Sequence, residues 1–393
     1  MSPSTQPRRS IHLAVDLSGA SLHATAPEAA RDVGPVSVEP LARLVATARR
    51  GDLDFVLLED TATPGTGDTA AWRGRLDPTL VASHLARRVP GIGLAVTVET
   101  THTEPFHLSK AIATLDHVSE GRAAWQVAWS TSPITADRWG RPVPSEGDAV
   151  AEAVEVVAVM RRLWDSWEDD AEIRDAATSR FIDRDKLHYV DFEGRHFSVK
   201  GPSITPRPPQ GQPPVIVALP GAGHAQTTEL VALAGSEADV VRIRATSPSG
   251  AAALRDEVHA AARRADRDPE DVRVLVDVLT ALGADRAGAR TRLELFREIH
   301  GVEPSEDSLT HTGTPESLAF VLREWVAAGA ADGFVVHPVT PATDLELFVA
   351  HAVPALQVGG LFRAAYPGRT LRDTLGLDRP ANRFAARALE VAR

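Results

Sequence analysis

Apolar residues recur along this chain in two alternating rhythms. Short runs rich in β-branched residues lie at Ile11–Val15, Leu53–Leu58, Leu94–Val98, Ala123–Trp129, Val215–Leu219, Ala238–Ile243, Val272–Leu279 and Gly333–Val336. Such runs, apolar on both faces, read as buried parallel strands. Between them apolar residues return at helical spacing and predict helices near 38–50, 78–88 and 148–167. The last of these carries Val150, Ala153, Val154, Val157 and Met160 on one face. Residues 93–130 form the clearest unit. Strand Leu94–Val98 leads into the polar loop Thr100, Thr101, His102, Thr103 and Glu104, and Pro105 then opens a helix with Leu108, Ile112 and Leu115 inward. Glu120-Gly121 turns the chain into the next strand, which completes a βαβ unit. Eight parallel strands separated by helices close most readily into an α/β fold of the (β/α)8 TIM-barrel type.

Two segments break the alternation. Residues 168–213 hold a charged stretch and two strand-like pieces, His188–Phe192 and His196–Val199, around the turn Glu193-Gly194-Arg195. Their alternating pattern predicts a hairpin. An arm with Pro202, Pro206, Pro208, Pro209, Pro213 and Pro214 follows. Because strand–helix alternation then resumes, 168–213 reads as an insertion in one barrel domain spanning 1–393. Residues 361–393 contain no strand pattern and are expected to pack on the barrel as a tail.

The 393 residues suit a single barrel with insertions. No apolar run is long enough to span a bilayer, and residues 1–10 lack the core of a secretion signal, so a cytoplasmic location is the default expectation. With no cysteine, thiolate catalysis and cysteine-based metal sites are excluded. A net charge of −11 argues against nucleic acid as the main ligand.

Polar residues at strand C-terminal ends are the candidates for chemistry, because α/β barrels build their sites there. Asp60 follows a very apolar strand and is either a ligand contact or a cap. Thr100 and Thr101 stand at the same level, able to meet the polar edge of a heterocycle or to cap their loop. His102 and His107 have no converging partners at metal-ligand spacing, and His107 is expected to be packed within its helix. Trp125, Trp129 and Trp139 cluster near a strand end; Trp129 either lines a pocket for a planar ligand or is an ordinary core aromatic, which is the reading expected for Trp125. Gly221, Ala222 and Gly223 open a helix, either as a plain βα turn or as a loop that faces an anion with backbone N–H groups. Arg242 and Arg244, two residues apart on a strand, would put two cations at the barrel mouth for a phosphate, an anionic substrate or internal carboxylates such as Asp60.

Several ordered segments resemble the bacterial luciferase-like flavin-dependent monooxygenases, in the branch of nitrilotriacetate and dibenzothiophene-sulfone monooxygenases. They are LDFVLLED (53–60), TTHTEPFHLSKAIATLDHVSEGRAAW (100–125), LWDSWEDD (163–170), VDFEGRHFSVKGPSITPRPPQGQPPVIV (190–217), GTPESLAFVLREWVAAGAADGF (313–334) and VPALQVGGLFRAAYPGRTLRDTLGLDRPANRF (353–384). The resemblance implies reduced FMN at the C-terminal mouth, a separate flavin reductase, a small organic substrate oxygenated with O2, and a homo-oligomer. It assigns Asp60, Thr100, Thr101, Gln126, Gly221, Ala222 and Gly223 to the cofactor, and His102 and Trp129 to the substrate. The chain also departs from the family pattern. Gln126 stands for an Asn, Trp129 for a Thr, Glu146 and Val150 for a His and a Tyr near the phosphate end, and Ala222 for a Ser. These changes keep two other readings open: a barrel homologue that binds FMN weakly or not at all and acts as a partner or binding protein, or an enzyme using a deazaflavin.

Overall fold

The computed structural model describes residues 10–18, 37–59, 76–220, 227–300 and 306–385. Eight strands form the barrel: β1 (His12–Asp16), β2 (Phe55–Glu59), β3 (Gly93–Glu99), β4 (Ala123–Ala128), β5 (Val215–Ala218), β6 (Val240–Ile243), β7 (Arg273–Leu282) and β8 (Gly333–Pro338). Each pairs in parallel with the next, and β8 closes on β1 through His12↔Gly333 to Val15↔Val336. Around it lie α1 (Glu39–Arg50), α2 (Pro78–Arg88), α3 (Pro105–Ser119), α4 (Pro133–Trp139), α5 (Glu146–Asp165), α6 (Thr227–Glu237), α7 (Pro248–Arg264), α8 (Arg286–His300), α9 (Pro315–Ala327), α10 (Pro341–Leu347), α11 (Val353–Val358) and α12 (Leu371–Leu375).

Side chains alternate across a strand, so each strand feeds two cores. Leu13, Val15, Val56, Leu58, Leu94, Val96 and Val217 face outward and merge with helix residues such as Leu85, Ile112 and Leu322 in the larger core. Ala14, Phe55, Leu57, Ala95, Ala124, Ile216, Val240, Leu275 and Val335 face inward and fill the barrel. Three alanines opposite Phe55 and Leu57 show the alternation of small and large residues that fills such an interior.

Leu371, Leu375 and Leu377 join that inner cluster from the tail. α12 therefore plugs the N-terminal end of the barrel. Thr370 and Asp373 form a capping box at its start, and the Leu371 N–H bonds the Gly121 carbonyl at 2.9 Å. Glycine at 93 is needed here: a Cβ would lie 2.6 Å from the Asp54 carbonyl oxygen and 2.8 Å from Leu371.

The insertion departs from the expected single hairpin. Glu172–Asp175 pairs with Arg180–Ile182, a ribbon the sequence pattern did not signal. In the expected hairpin only Phe192–Glu193 and Ser198–Val199 pair. Val190 and Asp191 still donate across it to the Lys200 carbonyl at 2.9 and 3.1 Å, but the His188 N–H turns away to the Ser166 carbonyl at 2.8 Å. The Glu155 carboxylate accepts the N–H groups of Arg195 and His196 at 2.8 and 3.0 Å, tying the turn to α5. A further strand, Leu309–Gly313, pairs with the far half of β7 and was also unexpected. Its mixed sequence, LTHTG, carries no apolar rhythm.

Asp165 joins insertion, barrel and tail. Its carboxylate accepts Arg207 at 2.9–3.0 Å, Gln212 at 2.7 Å and Arg383 at 3.1 Å. It is 1% exposed and Arg207 is 6% exposed. Removing Asp165 takes a buried carboxylate from Arg207, Gln212 and Arg383 at once and leaves Arg207 with Asp169, at 2.9 Å, as its remaining counter-charge. Asp165→Ala is expected to lower stability by about 3–5 kcal/mol in urea unfolding; a loss under about 1 kcal/mol would show that the lock is dispensable.

Asp116 provides a pH-sensitive counterpart. Burial pushes its carboxyl up to about 6 despite hydrogen bonds from Gln210 and Ala123. The folded value lies above the unfolded one, so the folded state binds the extra proton. Its contribution to stability is therefore fullest below about pH 4 and is lost as pH rises through about 6. The stability difference between wild type and Asp116→Asn should fall over that window, and a flat difference from pH 4 to 7 contradicts the assignment.

Candidate active site

Above the apolar filling, the inward register changes character. Asp16 on β1, Thr97 on β3, Gln126 on β4, Arg242 on β6, Asp277 on β7 and His337 on β8 meet in one polar layer. Arg242 is its centre. Nε and Nη2 donate to the two Asp277 oxygens, each at 3.0 Å, Nη2 reaches Asp16 at 3.1 Å, and Nη1 donates to the Gln126 amide oxygen at 2.8 Å. Gln126 in turn donates to Thr97 Oγ1 at 3.1 Å. The half-buried His337 ring lies 3.0 Å from Arg242 Nη2 and 3.4 Å from Asp277.

Burial opposes ionisation of Asp277, but Arg242 and the His337 ring outweigh it and hold the carboxyl well below the usual range. Burial likewise resists the charge on Asp16, and His337 and Arg242 again prevail. For Arg242 burial is countered by Asp277 and Asp16, which raise its pKa above the ordinary arginine value. The layer is thus a set of fixed charges in a water-poor floor.

All three guanidinium nitrogens of Arg242 are engaged inside the protein, so of the roles open to it the structure favours internal carboxylates. These are Asp16 and Asp277; Asp60 lies outside the described residues. Arg244 shares the inward register but is exposed, with Asp277 and Asp307 each 3.9 Å away.

At the rim, Thr100 and Thr101 stitch β3 to the end of β4. The Thr100 N–H and Oγ1 both meet the Ala128 carbonyl, at 2.8 and 3.0 Å. Thr101 Oγ1 accepts the Ser130 N–H at 3.0 Å, which leaves its own proton free to donate. His102 is 4% exposed and stacks on Trp139 with ring centroids 5.9 Å apart. Burial, then the charge of Arg141, hold its imidazole below the usual histidine value.

Other expected positions fall elsewhere. Trp129 is half-buried and packs against the outer barrel–helix core. Trp139, from a helix the pattern did not predict, meets His102 instead. The signals for α4 were present: a Ser132 cap, Pro133 in the first turn and Gly140 with φ 62° at the end. His107, expected to be packed, is exposed, because α3 turns Leu108, Ser109 and Ile112 inward. Glu146 is exposed in the first turn of α5, and Val150 is buried in the core. Gly221, Ala222 and Gly223, like Asp60, lie outside the described residues. Asp16, Thr97, Asp277 and His337 were missed. Their signal is a polar residue at an inward position of an otherwise apolar strand.

A family model described as luciferase-like monooxygenase matches residues 17–334. The chain belongs to this family. Among luciferase-like relatives, N-acetyl-S-(2-succino)cysteine monooxygenase of Bacillus subtilis (strain 168) is 30% identical over 97% of this chain and 100% of its own length. Nitrilotriacetate monooxygenase component A of Aminobacter aminovorans is 31% identical over 88% of this chain and 92% of its own. In structure the chain is similar to the EDTA monooxygenase of Chelativorans sp. BNC1, with TM-score 0.80, 24% identity, and coverage of 95% of this chain and 100% of that one.

The luciferase-like floor depends on Arg242. Replacing it strands Asp16 and Asp277 together in the barrel. Arg242→Met should cost about 3–5 kcal/mol in chemical denaturation. Wild-type stability for that variant would mean that the two carboxylates are hydrated and the layer is not a closed network.

Proposed function

We propose that the chain is the oxygenase of a two-component flavin-dependent system. Reduced FMN, delivered by a separate reductase, and O2 oxygenate a small organic substrate in the barrel mouth. The single observation that carries this reading is family membership over residues 17–334, joined to full-length similarity to named monooxygenases. The term component A in the name of the nitrilotriacetate enzyme supports a second, separate component.

The residues present fit a flavin. Thr101 keeps a hydroxyl proton to offer, and both ring nitrogens of His102 are buried without a hydrogen-bond partner among the described residues. Buried polar atoms are normally satisfied, so a ligand with polar edges is the natural complement. When bound, reduced flavin supplies the electrons that activate oxygen. The chain's own part is to bind, orient and exclude water. In this reading Thr100 and Thr101 hold the cofactor's polar edge, with Asp60, Gln126, Gly221, Ala222 and Gly223 completing the contacts that the resemblance implies. His102 faces the bound ligand, whereas Trp129 packs against the outer core. The Arg242 layer beneath supplies a preorganised floor that needs no rearrangement as charge develops above it. The protein is expected to act as a homo-oligomer.

Titration of the purified protein with FMN and reduced FMN, followed by fluorescence or calorimetry, tests the reading. Saturable binding in roughly the micromolar range is expected. Absence of binding at about millimolar flavin would sink it in favour of a barrel homologue that acts as a binding protein or partner.

A further inference from the structure

We propose that His102, Trp139 and Arg141 form a receptor for an oxyanion, taking the phosphate of the flavin or a carboxylate of the substrate. The inference rests on the flavin-dependent reading above and names residues to which the family resemblance gives no anion contact.

Its first support is the state of His102. The preceding residues are fixed by Thr100 and Thr101, which tie the loop to Ala128 and Ser130. The imidazole is therefore held in place, 4% exposed, with neither Nδ1 nor Nε2 bonded among the described residues. Burying such a group without a partner is unfavourable unless a ligand completes it.

Its second support is the delivery of Arg141. α4 is capped by Ser132 and ends at Gly140, and the Arg141 N–H closes the turn on the Ala136 carbonyl at 3.0 Å. The same helix supplies Trp139, whose ring lies parallel to His102 within 18°. One short helix thus holds an aromatic wall against the imidazole and presents a guanidinium two residues later. Arg141 is exposed and makes no ion pair among the described residues, yet its charge acts on both His102 and Glu152 of α5. A guanidinium fork beside an imidazole N–H is a donor set for phosphate or carboxylate.

Its third support is what α5 lacks. Val150 is buried in the core and Glu146 carries a negative charge, so neither gives a hydroxyl or cation to an anion. Arg141, just before that helix, is placed to supply the missing charge.

Calorimetric titration with FMN, riboflavin and succinate separates the sources, using wild type, Arg141→Ala and His102→Phe. The phenylalanine keeps a ring against Trp139 and removes both nitrogens, and matching thermal midpoints confirm folded variants. If the anion is the flavin phosphate, Arg141→Ala weakens FMN by about tenfold or more and leaves riboflavin unchanged. If it is a substrate carboxylate, flavin affinities stay level and the succinate binding of wild type is lost in both variants. Wild-type affinity of both variants for all three probes overturns the proposal. Should wild type bind neither flavin, the flavin-dependent reading fails, and the succinate arm still decides the receptor.

Discussion

A guanidinium shut away from water must find compensating charge, and in this barrel Arg242 finds it on one neighbouring strand and across the lumen. Asp277 comes from the adjacent β7, Asp16 from β1 and Gln126 from β4. Each contact requires its strand to be in register, since a slip by one residue would turn the polar side chain outward into the helix layer. The apolar filling below and the rim above are both referred to this layer. It divides a barrel that is a packed core in its lower half from one that is a site in its upper half.

The opposite end is sealed by different means. Glycine at 93 leaves room for Leu371, and the leucines of α12 complete the inner cluster. Arg372 then anchors the plug, with Nη2 3.1 Å from Asp239. Burial would raise the Asp239 carboxyl, but Arg372 and Arg161 bring it down to about 2. Asp165 joins the same tail to the insertion. Tail and insertion are thus parts of the barrel's closure, and both are held at the C-terminal end of α5 by Asp165.

At the rim the polar groups differ in kind from those of the floor. Floor residues are bonded to one another, whereas the His102 nitrogens have no partner among the described residues. Unsatisfied groups above a satisfied layer mark where the protein is built to be completed by something else. Membership in the luciferase-like family agrees with that location, because (β/α)8 barrels place their chemistry at the C-terminal face.

Much of this was legible in the sequence. The eight apolar runs fall on the eight barrel strands, since burial on both faces forces a β-branched run, and the helix start at Pro105 follows from proline's fixed φ in the first turn. The ordered segments identified the family. Leu309–Gly313 and the ribbon at Glu172–Ile182 were hidden, because partly exposed strands lack an apolar rhythm. What the sequence by itself determined was the eight barrel strands, the order in which they close and the family. Only the tertiary structure decided that Arg242 serves Asp16 and Asp277, and that Trp139 rather than Trp129 meets His102. Those pairings join residues far apart in the chain, and closure of the barrel is what brings their side chains within bonding distance.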